Sequence, residues 1–142
     1  MTEQFCDYSI SLKLKELGFN EPCIRYFDDN EDLNDRDFHL SEYCFSIPIQ
    51  TSELQKNEGM GNCICSPLWQ QAIDFIEARL EACLMIFYNE NIGKWGYRIY
   101  PLDERLDWVI NDGEFEFGTC KTKYDAIKIA IEKGIERIIK IS

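Results

Sequence analysis

Between Ser66 and Tyr100 the spacing of apolar residues changes from one every three or four positions to one every two, which marks a helix running into strands. Leu68, Ala72, Ile76 and Leu80 recur at intervals of four, widened by Trp69, Ile73 and Cys83, while Gln70, Asp74, Glu77 and Glu81 take the opposite side. That is the pattern of a helix with one buried face. Ser66-Pro67 supplies a start signal: a serine N-cap accepts a bond from an otherwise unpaired backbone N–H, and proline at the first helical position gives up only an N–H that had no partner. From Cys83 to Tyr88 both parities are apolar, which predicts a strand covered on both faces or placed centrally in a sheet. Asn89-Glu90-Asn91-Ile92-Gly93 has turn chemistry. Trp95, Tyr97 and Ile99 then alternate with Gly96, Arg98 and Tyr100, as in a half-buried strand. A helix running into an antiparallel hairpin needs a sheet face to receive it, so the class is α+β.

Upstream, Ile10, Leu14 and Leu17 share one helical face, and Gly18 with Phe19 and Pro22 beyond it forms a stop signal, so a helix is expected over Ser9 to Leu17. Cys23 to Phe27 reads as a short strand. Asp28 to Asp37 carries six carboxylates against Arg36 and reads as a solvated loop between strands. Tyr43, Phe45, Ile47 and Ile49 alternate as a strand, and Pro48, which cannot donate to a ladder, assigns it to a sheet edge. Thr51 to Asn62 reads as a polar surface loop, and Cys63-Ile64-Cys65 as a brief pairing segment. Pro101 to Arg105 connects to a second hairpin, in which an Asp112-Gly113 turn sets Ile110 against Phe115 and Trp108 against Phe117, with Glu114 and Glu116 on the wet face. Thr122 and Asp125 form an approximate capping box for a last helix whose buried stripe is Ile127, Ile131, Ile135 and Ile138. Gly134 in its middle costs roughly 1 kcal/mol relative to alanine, which points to a close approach of the helix to the sheet.

At 142 residues the chain reads as one domain, 1–142, and its 45% hydrophobic content excludes a disordered chain. No apolar run reaches the length of a membrane span, and the N-terminus lacks the basic start and apolar core of a signal peptide, so a cytoplasmic location is expected. Seven cysteines, odd in number and irregularly spaced, then read as reduced thiols packed as small apolar residues. A net charge of −11 repels phosphates and anionic membranes, which argues against nucleic acid and membrane partners.

Reactive chemistry finds little support. The one histidine, His39, falls beside the acidic run. Asp28, Asn30, Asp32 and Asn34 alternate like calcium ligands, but Leu33 stands where the sharp turn needs glycine and His39 where a bidentate glutamate should close the cage. Cys63 and Cys65 offer two zinc ligands where structural sites take four. Gly59-Met60-Gly61 lacks the lysine and context of a phosphate loop. No catalytic residue, metal or cofactor is therefore assigned. The candidate binding residues are two polar-plus-aromatic clusters: Trp69, Gln70 and Gln71 at a helix start, and Arg98 with Tyr100 on the outward parity of the first hairpin. Trp95 and Tyr97 share a face with Ile99 and read as core.

Three segments, Lys15-Glu16-Leu17-Gly18-Phe19-Asn20-Glu21-Pro22-Cys23, Ser66-Pro67-Leu68-Trp69-Gln70-Gln71-Ala72 and Lys121-Thr122-Lys123-Tyr124-Asp125-Ala126, together resemble a group of small proteins of unassigned function encoded by Bacteroidetes and their phages or prophages. The resemblance implies a mobile-element context and a cytoplasmic address, and it brings no catalytic residues.

The expected architecture is an antiparallel sheet of about four to six strands, with the 66–82 and 122–140 helices packed on one face and a short N-terminal helix beside them. The expected function is that of a non-enzymatic, acidic accessory protein that binds a basic protein partner. The alternatives are a small-molecule or nucleic-acid binding module using the hairpin aromatics and, third, a metal- or thiol-dependent enzyme. A wet sheet face or an edge strand also leaves a homo-oligomer open.

Overall fold

The computed structural model of the protein describes residues 5–28, 30–31, 33–35, 37–40, 43–46, 50–56, 61, 63–103, 110–111 and 120–141, with the backbone alone for 33–35, 37–40, 43–46 and 110–111. It is mixed α+β, and its packing divides the chain into two compact units, Met1–Ala72 and Ile73–Ser142.

The first unit opens with α1 (Tyr8–Glu16), whose N-cap is Asp7: its carboxylate accepts the Ile10 N–H at 2.9 Å. Ile10 and Leu14 are fully buried. The helix ends as Gly18 foretells. Gly18 takes φ +95°, the Phe19 N–H donates to Leu14 O at 2.9 Å, and the Gly18 N–H donates to Lys15 O at 3.0 Å, which closes a Schellman motif. Next comes β1 (Arg25–Phe27), paired antiparallel with both β2 (Leu33–Asp35) and β5 (Ile64–Ser66). The acidic run is thus only partly a loop. Asp28 builds a turn, accepting the Asn30 N–H on its carboxylate at 2.9 Å and the Glu31 N–H on its carbonyl at 3.0 Å, and the chain then re-enters the ladder as β2. A separate antiparallel pair joins β3 (Asp37–Leu40) to β4 (Tyr43–Ser46), placing the backbone of His39 in a strand. The continuation through Pro48 lies outside the described residues.

Thr51 to Leu54 forms one helical turn, α2, where a surface loop was expected. The reason is burial: Thr51 and Leu54 point inward, and the Thr51 hydroxyl accepts the buried N–H of Cys65 at 3.1 Å. Ser66 is a second departure. Rather than capping a helix it ends β5, fully buried, and its hydroxyl donates to Cys6 O at 2.8 Å. The helix α3 (Trp69–Leu80) starts later. There Leu68 O receives the Ala72 N–H, and the Gln71 side chain reaches back to accept the Leu68 N–H at 2.9 Å, the return half of a capping box.

The boundary between the units falls within α3. Its expected stripe is buried at Ala72, Ile76 and Leu80, while Trp69 and Ile73 are half-buried and Cys83 belongs to the following strand. In the second unit β6 (Ala82–Asn89) and β7 (Lys94–Pro101) pair over their whole length, and β7 also pairs with β8 (Ile110–Asn111). The turn is tied by Asn89, whose carbonyl accepts the Gly93 N–H at 2.8 Å and whose side chain accepts the Asn91 N–H at 3.1 Å. β6 is not covered on both faces. Leu84 with Tyr97 and Ile99 lies on the buried face, whereas Met85 on the other is exposed, and β6 ends its ladder among the described residues. The partner strand expected across the Asp112-Gly113 turn, with Trp108, Phe115 and Phe117, lies outside the described residues.

Helix α4 (Lys123–Ile141) packs on β6 and β7. Thr122 caps it, its hydroxyl accepting the Asp125 N–H at 3.1 Å. Ile131, Ile135 and Ile138 are buried as expected; Ile127 is only half-buried, its place taken by the small stripe Ala126, Ala130 and Gly134. A Cβ at Gly134 would stand 2.6 Å from Ile76 Cγ2. The glycine therefore admits α3 against α4, not the helix against the sheet. Among the described residues no ladder exceeds three strands, so the continuous sheet of four to six is not seen there.

Candidate functional site

The five residues singled out from sequence fall in different units. Trp69 is half-buried and Gln70 exposed at the start of α3 in the first unit. Gln71 is committed to structure: besides closing the helix start, its amide donates to Pro22 O at 2.8 Å and ties the end of the α1 segment to α3. Arg98 and Tyr100 lie in the second unit, half-buried on the less covered face of the β6–β7 pair. Tyr100 sits directly opposite Cys83, and hydrogen bonding to that thiol raises its phenol above the ordinary range, an effect that Arg98 opposes. The aromatic core assignment is met by Tyr97, which is buried, whereas Trp95 is half-buried.

Two further features were not legible beforehand. The first is a cleft of about 330 Å³ in the first unit. Tyr8, Leu12 and Lys15, spaced along one face of α1, form one wall, and Asp28, Gln55 and Ile64 face them. Its lining mixes polar and apolar groups, and Tyr8 is held edge-on against Phe27 at 5.5 Å. Lys15 and Asp28 bring opposite charges to the same opening. The helical spacing of Tyr8, Leu12 and Lys15 is visible in sequence, but nothing there says that Asp28 and Gln55 come to meet them.

The second feature is the end of the β6–β7 hairpin. Tyr88 is 52% exposed and Ile92 53% exposed. Trp95, cross-strand from Tyr88, meets its ring at 5.2 Å, and the Lys123 ammonium lies 5.9 Å from the centre of the Trp95 ring. A bridge between Trp95 and Cys120 brings the start of α4 alongside the hairpin.

The cysteines carry less chemistry than their number suggests. Cys6, Cys23, Cys63, Cys65, Cys83 and Cys120 are free thiols, and the first four are buried in the first unit. Burial, with Asp7 nearby, pushes the Cys6 thiol well up; a hydrogen bond to Cys65, then burial, does the same for Cys23. A thiol held protonated is a poor nucleophile. Among the described residues no group of three or more His, Cys, Asp or Glu side chains is arranged to hold a metal ion, and no helix is long and apolar enough to cross a membrane. Comparison with known protein families, with curated proteins and with solved structures finds no match.

Proposed function

We propose that the protein is a non-enzymatic accessory protein that binds a basic protein partner, of the phage or prophage type that the three resembling segments imply. The observation behind this is where the charge lies. Residues 28–42 hold seven carboxylates against Arg36, and residues 103–116 hold six against Arg105. These two segments account for the whole net charge of −11, and the rest of the chain is neutral. One contributes β2 at the end of its ladder in the first unit and the other contributes β8 at the end of its ladder in the second, among the described residues. Concentrated charge of one sign steers association with a partner of the opposite sign and suppresses others.

The test is affinity for a labelled lysine-rich peptide, followed by pull-down of the natural partner at low and high salt. Replacing Asp28, Asp35 and Asp37 by asparagine should weaken binding, as should added salt. Binding indifferent to both, or no partner at any salt, counts against the reading. A second reading, a small-molecule binding module, is favoured by the cleft, whose volume is at the lower end of ligand sites. Lys15 and Asp28, opposite charges at one opening, suit a small zwitterion. Saturable amide shifts at Tyr8 and Gln55 on adding a free amino acid, lost in Lys15→Ala, would support it.

A further inference from the structure

We propose that the cleft beside α1 takes an α-amino acid with an aliphatic side chain, and that the occupied cleft holds the basic partner more weakly, because Asp28 serves both. This coupling rests on the basic partner and on the small-molecule cleft proposed for the first unit. Asp28 is the first of the seven carboxylates of residues 28–42, and it also lines the cleft. It shapes the turn by which the acidic segment leaves the cleft, with the Asn30 N–H on its carboxylate at 2.9 Å and the Glu31 N–H on its carbonyl at 3.0 Å. An ionised carboxylate accepts several donors at once, so an ammonium can join the Asn30 N–H on Asp28.

The rest of the lining selects the class of ligand. Lys15 follows Leu12 by one turn of α1 and brings a positive charge to the same opening, so a bare cation is opposed there and a molecule with both charges is not. A carboxylate for Lys15 and an ammonium for Asp28 make the head of an α-amino acid. Leu12 and Ile64 add aliphatic surface for its side chain, and Gln55 is held in the wall by donating to Cys63 O at 2.9 Å. A lysine of the partner that comes to Asp28 must compete with the ammonium of this ligand. By linkage, each of the two then weakens the other by the same factor. One partly exposed ion pair is at stake among several, so that factor is about two- to fivefold.

The experiment titrates the full chain with a labelled lysine-rich peptide, by fluorescence anisotropy, with and without saturating leucine. N-acetyl-leucine, which lacks the ammonium, is the control at matched ionic strength. Leucine should shift the Tyr8 and Gln55 amides saturably and weaken the peptide about two- to fivefold. N-acetyl-leucine should leave the peptide affinity unchanged. Lys15→Ala should abolish the effect of leucine, while the peptide binds at least as tightly as before. Lys15 is exposed, so an unchanged amide spectrum away from the cleft verifies the fold of the variant. The failures are separable. A peptide that does not bind removes the basic partner, and leucine that shifts no amide of the cleft removes the small-molecule site; the coupling falls with either. If both bind and leucine leaves the peptide affinity unchanged, the coupling alone is overturned. Equal weakening by leucine and N-acetyl-leucine would overturn Asp28 as the shared group.

Discussion

In the first unit several of the contacts that join distant parts of the chain run from side chains to main chain. Ser66 donates to Cys6 O, Thr51 accepts from Cys65 N–H, Gln55 donates to Cys63 O at 2.9 Å, and Gln71 donates to Pro22 O. Asn20 and Ser52 exchange two bonds of 2.9 and 3.1 Å. In the second unit a nineteen-residue helix lies on a pair of eight-residue strands, and the buried groups are mainly isoleucine, leucine, alanine and one tyrosine. Short strands leave many backbone groups beyond the reach of a ladder, so polar side chains must supply the partners. A long helix and long strands satisfy their own backbones, and apolar burial is left to hold them together. The same chain thus uses two kinds of adhesive, and each has its own weakness.

Truncation should separate them most sharply. Ile131→Ala in the second unit is expected to cost about 2–5 kcal/mol, read as a fall in the urea midpoint, because Ile131 has no exposed surface and its neighbours cannot fully close the gap. Alkaline pH should act chiefly on the first unit. Cys6 and Cys23 stay protonated in the folded chain above their ordinary value of 9.0, whereas the unfolded chain ionises there. The unfolded state then binds fewer protons, so stability should be intact below pH 9 and decline above it. The slope approaches about 1.4 kcal/mol per pH unit for each thiol. Cys6→Ala with Cys23→Ala should flatten that decline, and an unchanged pH profile would break the comparison.

Thr51→Val keeps the shape and removes the acceptor of the buried Cys65 N–H, for an expected loss of about 1–3 kcal/mol. A cost near zero would mean that the first unit does not depend on its polar ties. Smallest is Gly134→Ala. Better helix propensity should return about 1 kcal/mol, against roughly 1–3 kcal/mol for forcing Ile76 aside, which leaves a net loss of about 1 kcal/mol. In an Ile76→Ala background, which removes the clashing Cγ2, the loss on Gly134→Ala should disappear, and the double-mutant cycle reads the contact between the two positions.

Where a signal and its partner lie within a few residues, reading the sequence succeeded. Gly18 and Phe19 stop α1 by bonds to Leu14 and Lys15, Thr122 caps α4, and Asn89 closes the hairpin turn. Ser66-Pro67 failed by the same criterion. The pair is a fine local helix start, yet Ser66 answers a carbonyl sixty positions away and the helix begins three residues later. Gln71, a candidate binding residue by its place at a helix start, bonds to the Leu68 N–H of that start and to Pro22 O, a partner that no local pattern indicates. The cleft was invisible as a site because it joins α1 to Asp28, Gln55 and Ile64 across long sequence separations, whereas the apolar residues of the hairpin tip all lie between 88 and 95.

The sequence alone determined the mixed α+β class, the stop of α1, the cap of α4 and the hairpin turn, the burial of most of the α3 and α4 stripes, and the concentration of negative charge in two segments. These depend on local hydrogen bonding and on periodicity, which a linear order of residues contains in full. Only the tertiary structure decided that Ser66 turns inward, that Thr51 to Leu54 is helical, that Gly134 receives Ile76, and that Cys120 pairs with Trp95. Those outcomes turn on which distant backbone groups or side chains need a partner once water is excluded, and that is settled only when the chain has closed on itself.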